Sequence, residues 1–188
     1  VSEAGRRLVH GVGVVVPLAY LFGLFSWPQI QLALVVGTAG VLVLEFLRLQ
    51  GYIDWAIYDH LIREYEEEDV GAYVLYAVGM TLVAFMVPPR AAVPAMLLLT
   101  LADPVSGVLS SRTEVGMKQG YVLVATFGFS VLLATLVDVP LLPAIAGGIA
   151  CAAADGMKPT VAGYVLDDDF TIPVASGLAI ELVWRLVV

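Results

Sequence analysis

The sequence is short of charge, and shortest of positive charge. Only 14% of its 188 residues are Asp, Glu, Lys or Arg, and Lys118 and Lys158 are the only lysines. Nine basic groups against 17 acidic ones give a net charge of −8. That excludes the basic footprint a nucleic-acid partner needs. Cys151 is the only cysteine, which excludes an intrachain disulfide and a cysteine-built metal site. No small-residue cleavage site separates the Arg6-Arg7 pair from a soluble domain, so a cleaved signal is not expected. Internal repeats and low-complexity tracts are also missing.

Apolar sequence fills the space that charge leaves. The chain is 60% hydrophobic, with a mean hydropathy of +0.93, whereas soluble domains run at about 45–50% apolar. Crossing a bilayer as a helix takes about 20 apolar residues. Seven runs approach that length: 8–26, 30–49, 71–88, 91–111, 120–137, 140–156 and 172–188. The expectation is an all-α fold. It is one integral membrane domain over 1–188, a polytopic transmembrane helical bundle of about seven spans. Gly147, Gly148 and Ala150 would let neighbouring helices approach closely. Residues 51–69 differ, because Ile53, Ile57, Leu61 and Tyr65 recur every fourth position among charged neighbours. That spacing predicts one amphipathic helix lying in the membrane interface.

The few basic residues orient the bundle. With loops counted alternately from the amino terminus, Arg6, Arg7, Arg48, Arg63, Arg112, Lys118 and Lys158 fall on one side. Arg90 alone falls in a loop on the other, and Arg185 lies within the last run. The positive-inside rule makes the first side cytoplasmic, and the amino terminus with it.

Against this background one charge stands out. Asp103 sits within the fourth apolar run, in LTLADPVSGVLSSR. A charge at membrane depth costs ~2.5–3.5 kcal/mol on insertion scales, so it needs a reason. One reason is Mg²⁺, which binds through one or two carboxylates together with phosphate oxygens. Another is an N-cap, with Asp103-Pro104 starting a half-helix after a break. The two are compatible, since such a helix start also attracts anions. Ser106, Gly107 and Ser110 follow at a spacing that suits close approach of a phosphate or of another helix. Arg112 and Lys118 bracket the next loop, as phosphate ligands or as topological anchors.

The connection between the sixth and seventh runs opens with Asp155-Gly156-Met157-Lys158-Pro159 and closes with Asp167-Asp168-Asp169-Phe170-Thr171-Ile172-Pro173. Asp-Gly is a common turn, and three acids are a common solvated loop or helix cap. Facing Asp103, the same residues would complete a cation site. Neighbouring side chains project differently, so one or two of the three acids are expected to face that site and the rest to face water. Arg6, Arg7 and His10 share the same end of the bundle. Glu45 and Arg48, three apart, read as an ion pair.

Taken in order, these elements resemble a known family. E-x-x-R-R-x-x-H-x-x-G (Glu3, Arg6, Arg7, His10, Gly13), then LADPVSG, D-G-x-K-P and DDDFTIP, are similar to the dolichol kinase and phytol kinase group. The likeness is nearest to short dolichol kinase-like proteins of halophilic archaea, and it runs from Glu3 to about Gly177. That group is related to the phosphatidate cytidylyltransferases. Asp103, Ser106 and Ser110 stand where the group carries D-x-x-A-x-x-x-G, with Ser for Ala and Ser for Gly. Lys118-Gln119-Gly120 keeps the lysine of a K-(S/T)-x-E-G element without its hydroxyl residue and glutamate. Asp169 stands where the terminal motif carries Asn.

The resemblance implies a CTP-dependent kinase that phosphorylates an isoprenoid alcohol of the dolichol or polyprenol type at the cytoplasmic face. Asp103, Asp155 and Asp168 are then the catalytic candidates, with Asp103 and Asp168 on Mg²⁺ and Asp155 as base. Ser106, Gly107, Ser110, Arg112, Lys118, Lys158, Arg7 and His10 are the candidates for holding CTP. Partners would be the lipid alcohol, CTP and the surrounding membrane lipids. Two other classes stay open: a cytidylyltransferase acting on a lipid phosphate, and a non-enzymatic transporter.

Overall fold

The computed structural model describes residues 11–58, 62, 67, 69–110, 118–157, 160–161, 164–165 and 167–187. Arg7, His10, Arg112 and Lys158 lie outside the described residues. Each apolar run carries a helix: α1 (Val15–Leu21), α2 (Trp27–Leu49), α3 (Ala72–Met86), α4 (Pro89–Leu97) continuing into α5 (Asp103–Leu109), α6 (Gly120–Leu136), α7 (Leu141–Gly156) and α8 (Asp168–Val187). One two-residue antiparallel pair, β1 (Thr160–Val161) with β2 (Tyr164–Val165), interrupts the helical fold in the α7–α8 connection.

Among the described residues, three helices are long and apolar enough to cross a membrane: Trp27–Leu49, Pro89–Leu109 and Asp168–Val187. Gly11–Leu21 (which contains α1), Ala72–Met86, Gly120–Leu136 and Leu141–Gly156 are apolar but shorter, at 10–17 residues. This marks a membrane protein. Large apolar side chains on its outer faces agree, among them Phe22, Leu32, Val36, Phe46, Leu132 and Leu186, all exposed. Aromatic residues gather at both ends, as they do at membrane interfaces. Tyr20 and Trp27 pack edge to face at 5.1 Å at one end. At the other, Trp55 stacks on Tyr58 at 6.2 Å, and Tyr58 lies 6.3 Å from Tyr73.

The Pro89–Leu109 helix is central and Trp27–Leu49 is peripheral: of the most apolar 18 residues, 61% are buried in the first and 11% in the second. Small residues set the spacing between helices. A Cβ on Gly147 would meet Ile180 Cγ1 of α8 at 2.5 Å. A Cβ on Gly79 of α3 would meet the Asp169 carbonyl at 3.0 Å and Pro173 Cγ at 3.1 Å. Close packing of α3 and α7 on α8 fixes where the start of α8 sits, and therefore where its acids sit.

One expectation needs correction. The helix does not break at Asp103-Pro104. Asp103 is helical, with φ −61° and ψ −49°, and is not the N-cap of α5. A π-turn over Leu98–Ala102 precedes it, and the Asp103 N–H donates five residues back to Leu98 O. Widening the turn absorbs the hydrogen bond that Pro104 cannot make, so the helix bends its register instead of ending. The stretch 51–69, expected to form an amphipathic helix, is described only in part. Gly51, at φ +72°, ends α2, and 51–57 run through turns. Residues 59–61, 63–66 and 68 lie outside the described residues. Tyr58 is helical, and its carbonyl accepts the Ile62 N–H at 2.9 Å.

Candidate functional site

Asp103, Asp155 and Asp168 come from three different helices and meet at one end of the bundle. Each offers a carboxylate oxygen within 4.8 Å of the others. The π-turn sets the facing of Asp103 and, one turn on, of Ser106. The last turn of α7 carries Asp155, and the first turn of α8 carries Asp168. Asp155 and Asp168 are buried and Asp103 is half-buried.

Lys118, just ahead of α6, closes the group. Its ammonium donates to Asp155 Oδ1 at 2.5 Å and to Ser106 Oγ at 3.0 Å. Ser106 Oγ in turn donates to Asp155 Oδ2 at 2.5 Å. Both oxygens of Asp155 are thus engaged, and the three side chains form a closed ring. Burying the Asp155 carboxylate would be costly without the lysine charge beside it. Gly107 is half-buried on α5, and Ser110 ends that helix with its N–H on Ser106 O at 2.9 Å.

The three consecutive acids do not divide between site and water. Asp167, Asp168 and Asp169 are all buried, and a carboxylate oxygen from each lies within 4.8 Å of the others. The cause is the helix start. Asp167 is the cap: its Oδ1 accepts the Asp169 N–H at 3.2 Å, and its carbonyl accepts the N–H groups of Phe170 and Thr171. A capping side chain folds back over the first turn, so neighbours that would diverge on a strand converge here. The positive end of α8 lies under all three and favours their charge.

Sequence reasoning missed Tyr76. It lies on α3 within the electrostatic reach of Asp169 and Asp103. Gly13 of the first helix approaches its hydroxyl so closely that a Cβ there has no room. A lone tyrosine in an apolar run gives no signal of this, although Gly79 three residues on marks the face that meets α8. The expected Glu45–Arg48 pair is present. Arg48 Nε and Nη2 donate to Glu45 at 2.7 and 2.9 Å. Glu45 also accepts from Gly71 N at 2.7 Å and from the Tyr73 hydroxyl. Arg48 reaches the carbonyls of Glu67 and Asp69 at 2.9 and 2.6 Å. This hub ties the end of α2 to the start of α3 and stands apart from the three-carboxylate group.

The donor set suits a hard divalent cation. Mg²⁺ takes oxygen ligands, commonly one or two carboxylates with phosphate oxygens and water, and three carboxylate oxygens lie here within 4.8 Å of one another. Such a cation also supplies the charge that offsets carboxylates gathered from three helices. Comparison with protein-family models, with curated proteins and with solved structures finds no match.

Proposed function

We propose that this chain is a CTP- and Mg²⁺-dependent kinase of a membrane isoprenoid alcohol, of the dolichol or polyprenol type. The observation that carries the reading is the meeting of Asp103, Asp155 and Asp168 beside Lys118 at one end of an apolar bundle. Acids and a lysine at that depth fit a metal and phosphate better than they fit packing. The resemblance in residue order from Glu3 to Gly177 supplies the nucleotide and the class of alcohol.

In this reading Asp103 and Asp168 hold Mg²⁺, with Asp155 at the third corner. When bound, the ion neutralises charge on the phosphoryl group in transfer. Asp155 and Ser106 fix Lys118 against the phosphates, so its charge arrives already oriented. The terminal phosphoryl group leaves the bridging oxygen of the nucleotide and bonds to the lipid hydroxyl oxygen. The hydroxyl proton passes to a carboxylate of this group; Asp155 can take it only by releasing the bond from Ser106 or Lys118. Arg112, Lys158, Arg7 and His10 remain the further candidates for the nucleotide. We place seven crossings in the membrane, with this end cytoplasmic.

The test is purified protein with Mg²⁺, labelled CTP or ATP, and a panel of lipid alcohols and lipid phosphates. Phosphorylated alcohol supports the proposal. A CDP-lipid with release of pyrophosphate makes the chain a cytidylyltransferase instead, and no product with any acceptor ends the kinase reading. Orientation is tested separately. Met157 is exposed beside the site and Asp138 is exposed at the far end of α7, while Cys151 is buried. In whole cells Met157→Cys should resist an impermeant thiol reagent and Asp138→Cys should react. The reverse pattern puts the site outside.

A further inference from the structure

Away from the carboxylates, one cluster carries surplus positive charge. Glu181, near the end of α8, is buried and has both oxygens engaged. Its Oε1 accepts from Arg90 Nη2 at 2.9 Å and from Arg185 Nε at 2.7 Å, and its Oε2 accepts from Arg90 Nε at 3.1 Å. Two guanidiniums thus stand side by side on one carboxylate, and the cluster keeps a net positive charge. Arg90 Nη1 and the terminal nitrogens of Arg185 donate to nothing else among the described residues, so their hydrogens face outward. Both arginines are exposed, and the Trp184 ring, 5.1 Å away, holds Arg90 in place.

The surface beside them is apolar. Leu178, Leu182 and Leu186 recur every fourth residue along α8 and are all exposed. Arg185 shares their face, at helical spacing from Leu178 and Leu182. A leucine stripe that ends in a guanidinium has the form of a lipid's partner: acyl chain along the leucines, phosphate at the arginine. The charges agree as well. A phosphodiester is a monoanion, and its two free oxygens fit the paired N–H groups of a guanidinium. Water alone would satisfy a single arginine that snorkels to the interface. It gives no reason for a second one fixed on the same carboxylate and stacked on a tryptophan, a residue that itself favours headgroup depth.

We infer that Arg90, Arg185 and Trp184 form a binding site for the phosphate of an anionic phospholipid in the leaflet away from the carboxylates, with an acyl chain along Leu178, Leu182 and Leu186. The whole chain carries a net charge of −8 and repels such lipids, so a preference for them here has to be local. The site does not depend on the reaction at the other end of the bundle.

Trp184 itself reports on the test. The chain has 3 tryptophans, so the double variant Trp27→Phe/Trp55→Phe leaves Trp184 alone. The full chain is placed in nanodiscs of phosphatidylcholine with a small fixed fraction of brominated phosphatidylglycerol or, separately, of brominated phosphatidylcholine, and tryptophan quenching is compared. An arginine near a membrane surface favours an anionic lipid about fivefold; Trp184 also meets lipid outside the site, so phosphatidylglycerol should quench it at least about twofold more strongly. Arg185 is 69% exposed, so Arg185→Gln should fold normally, and it should bring the quenching ratio to about one. The reverse reporter, Trp55→Phe/Trp184→Phe, leaves Trp27, which packs on Tyr20 at the same end of the bundle, and should show no preference. Added inorganic phosphate should leave the Trp184 ratio unchanged, because it brings no acyl chain. Equal quenching of Trp184 by the two lipids, an undiminished ratio in Arg185→Gln, or the same preference at Trp27 would each overturn the inference and leave arginines that reach only for water. A ratio abolished by inorganic phosphate would overturn it too, making this a site for a bare anion.

Discussion

The two ends of α8 handle buried acid in opposite ways. Near its carboxy terminus Glu181 is surrounded by cations: Arg90 donates to it at 2.9 and 3.1 Å and Arg185 at 2.7 Å. Arg90 also lies 5.1 Å from the Trp184 ring. One carboxylate answers two guanidiniums, both substantially exposed, with side-chain exposures of 45% and 69%. At its amino terminus the ratio inverts. Asp167, Asp168 and Asp169 are joined by Asp103 and Asp155, and Lys118 is the cation the described residues bring to Asp155. The first arrangement is complete by itself and has the form of an anchor at a membrane interface. The second collects like charges from three helices, which favours an added cation. Burial of acid alone therefore does not mark the site; the local balance of charge does.

The strongest way to break this contrast is to remove charge at the acidic end. Asp168→Asn keeps the size of a side chain already buried in the first turn of α8. It should lower Mg²⁺-dependent transfer by roughly 10²-fold or more, the scale on which single preorganised electrostatic contacts act. Raised Mg²⁺ should recover part of the loss, while the unfolding temperature in detergent changes little. Asp103→Asn should behave likewise, because Asp103 is not the N-cap of α5. Near-wild-type rates in both would remove the metal from this end.

Lys118→Met addresses the same balance through stability. It leaves Asp155, 1% exposed, without its lysine, and breaking a buried pair in this way costs about 3–5 kcal/mol. Adding Asp155→Asn should return most of that, since the neutral pair has no charge to desolvate, yet activity should stay lost. Thermal unfolding and transfer assays on the two variants separate the effects. Equal stability of Lys118→Met and wild type would mean that the ring with Ser106 contributes nothing to folding.

Gly79→Ala asks whether the acids depend on where α8 starts. The new Cβ would meet the Asp169 carbonyl at 3.0 Å and Pro173 Cγ at 3.1 Å, and overpacking of this kind costs about 1–3 kcal/mol. Activity should fall more than the melting temperature does, because the shift is applied beside Asp168. A Gly147→Ala control strains α7 against Ile180, a contact with no acid in it, and should lower stability with a smaller loss of activity.

How much of this was legible in the sequence follows from which signals are local. Asp103 was, because a carboxylate in an apolar run is conspicuous whatever its neighbours do. The helices were, because apolar run length sets them. The course of the backbone at Pro104 was not: proline predicts a break, and the π-turn that avoids one depends on the buried packing of Leu98 and Leu99. The convergence of Asp167, Asp168 and Asp169 was hidden for a related reason. Adjacent residues diverge in an extended chain and converge under a cap, and only the start of α8 decides between them. Tyr76 was invisible, since its nearness to the acids comes from α3 lying against α8.

The smallest expected effect is at the far end, and it is the one that tests the contrast itself. Glu181→Gln removes the charge that Arg90 and Arg185 share. Glu181 is buried, at 5% exposure, which by itself argues for a large loss. Its partners argue the other way: both guanidiniums reach solvent, so each can be hydrated once the carboxylate is gone, and exposed pairs are worth about 0–1 kcal/mol. A glutamine oxygen still accepts one of the existing bonds, and Arg90 keeps its place over Trp184. The expected result is a change in stability below about 1 kcal/mol and unchanged transfer activity. A clear loss of activity would mean that α8 transmits strain along its length, from Glu181 to Asp168. The two ends would then be one coupled device, and the Arg90 cluster would belong to the site's support instead of to anchoring.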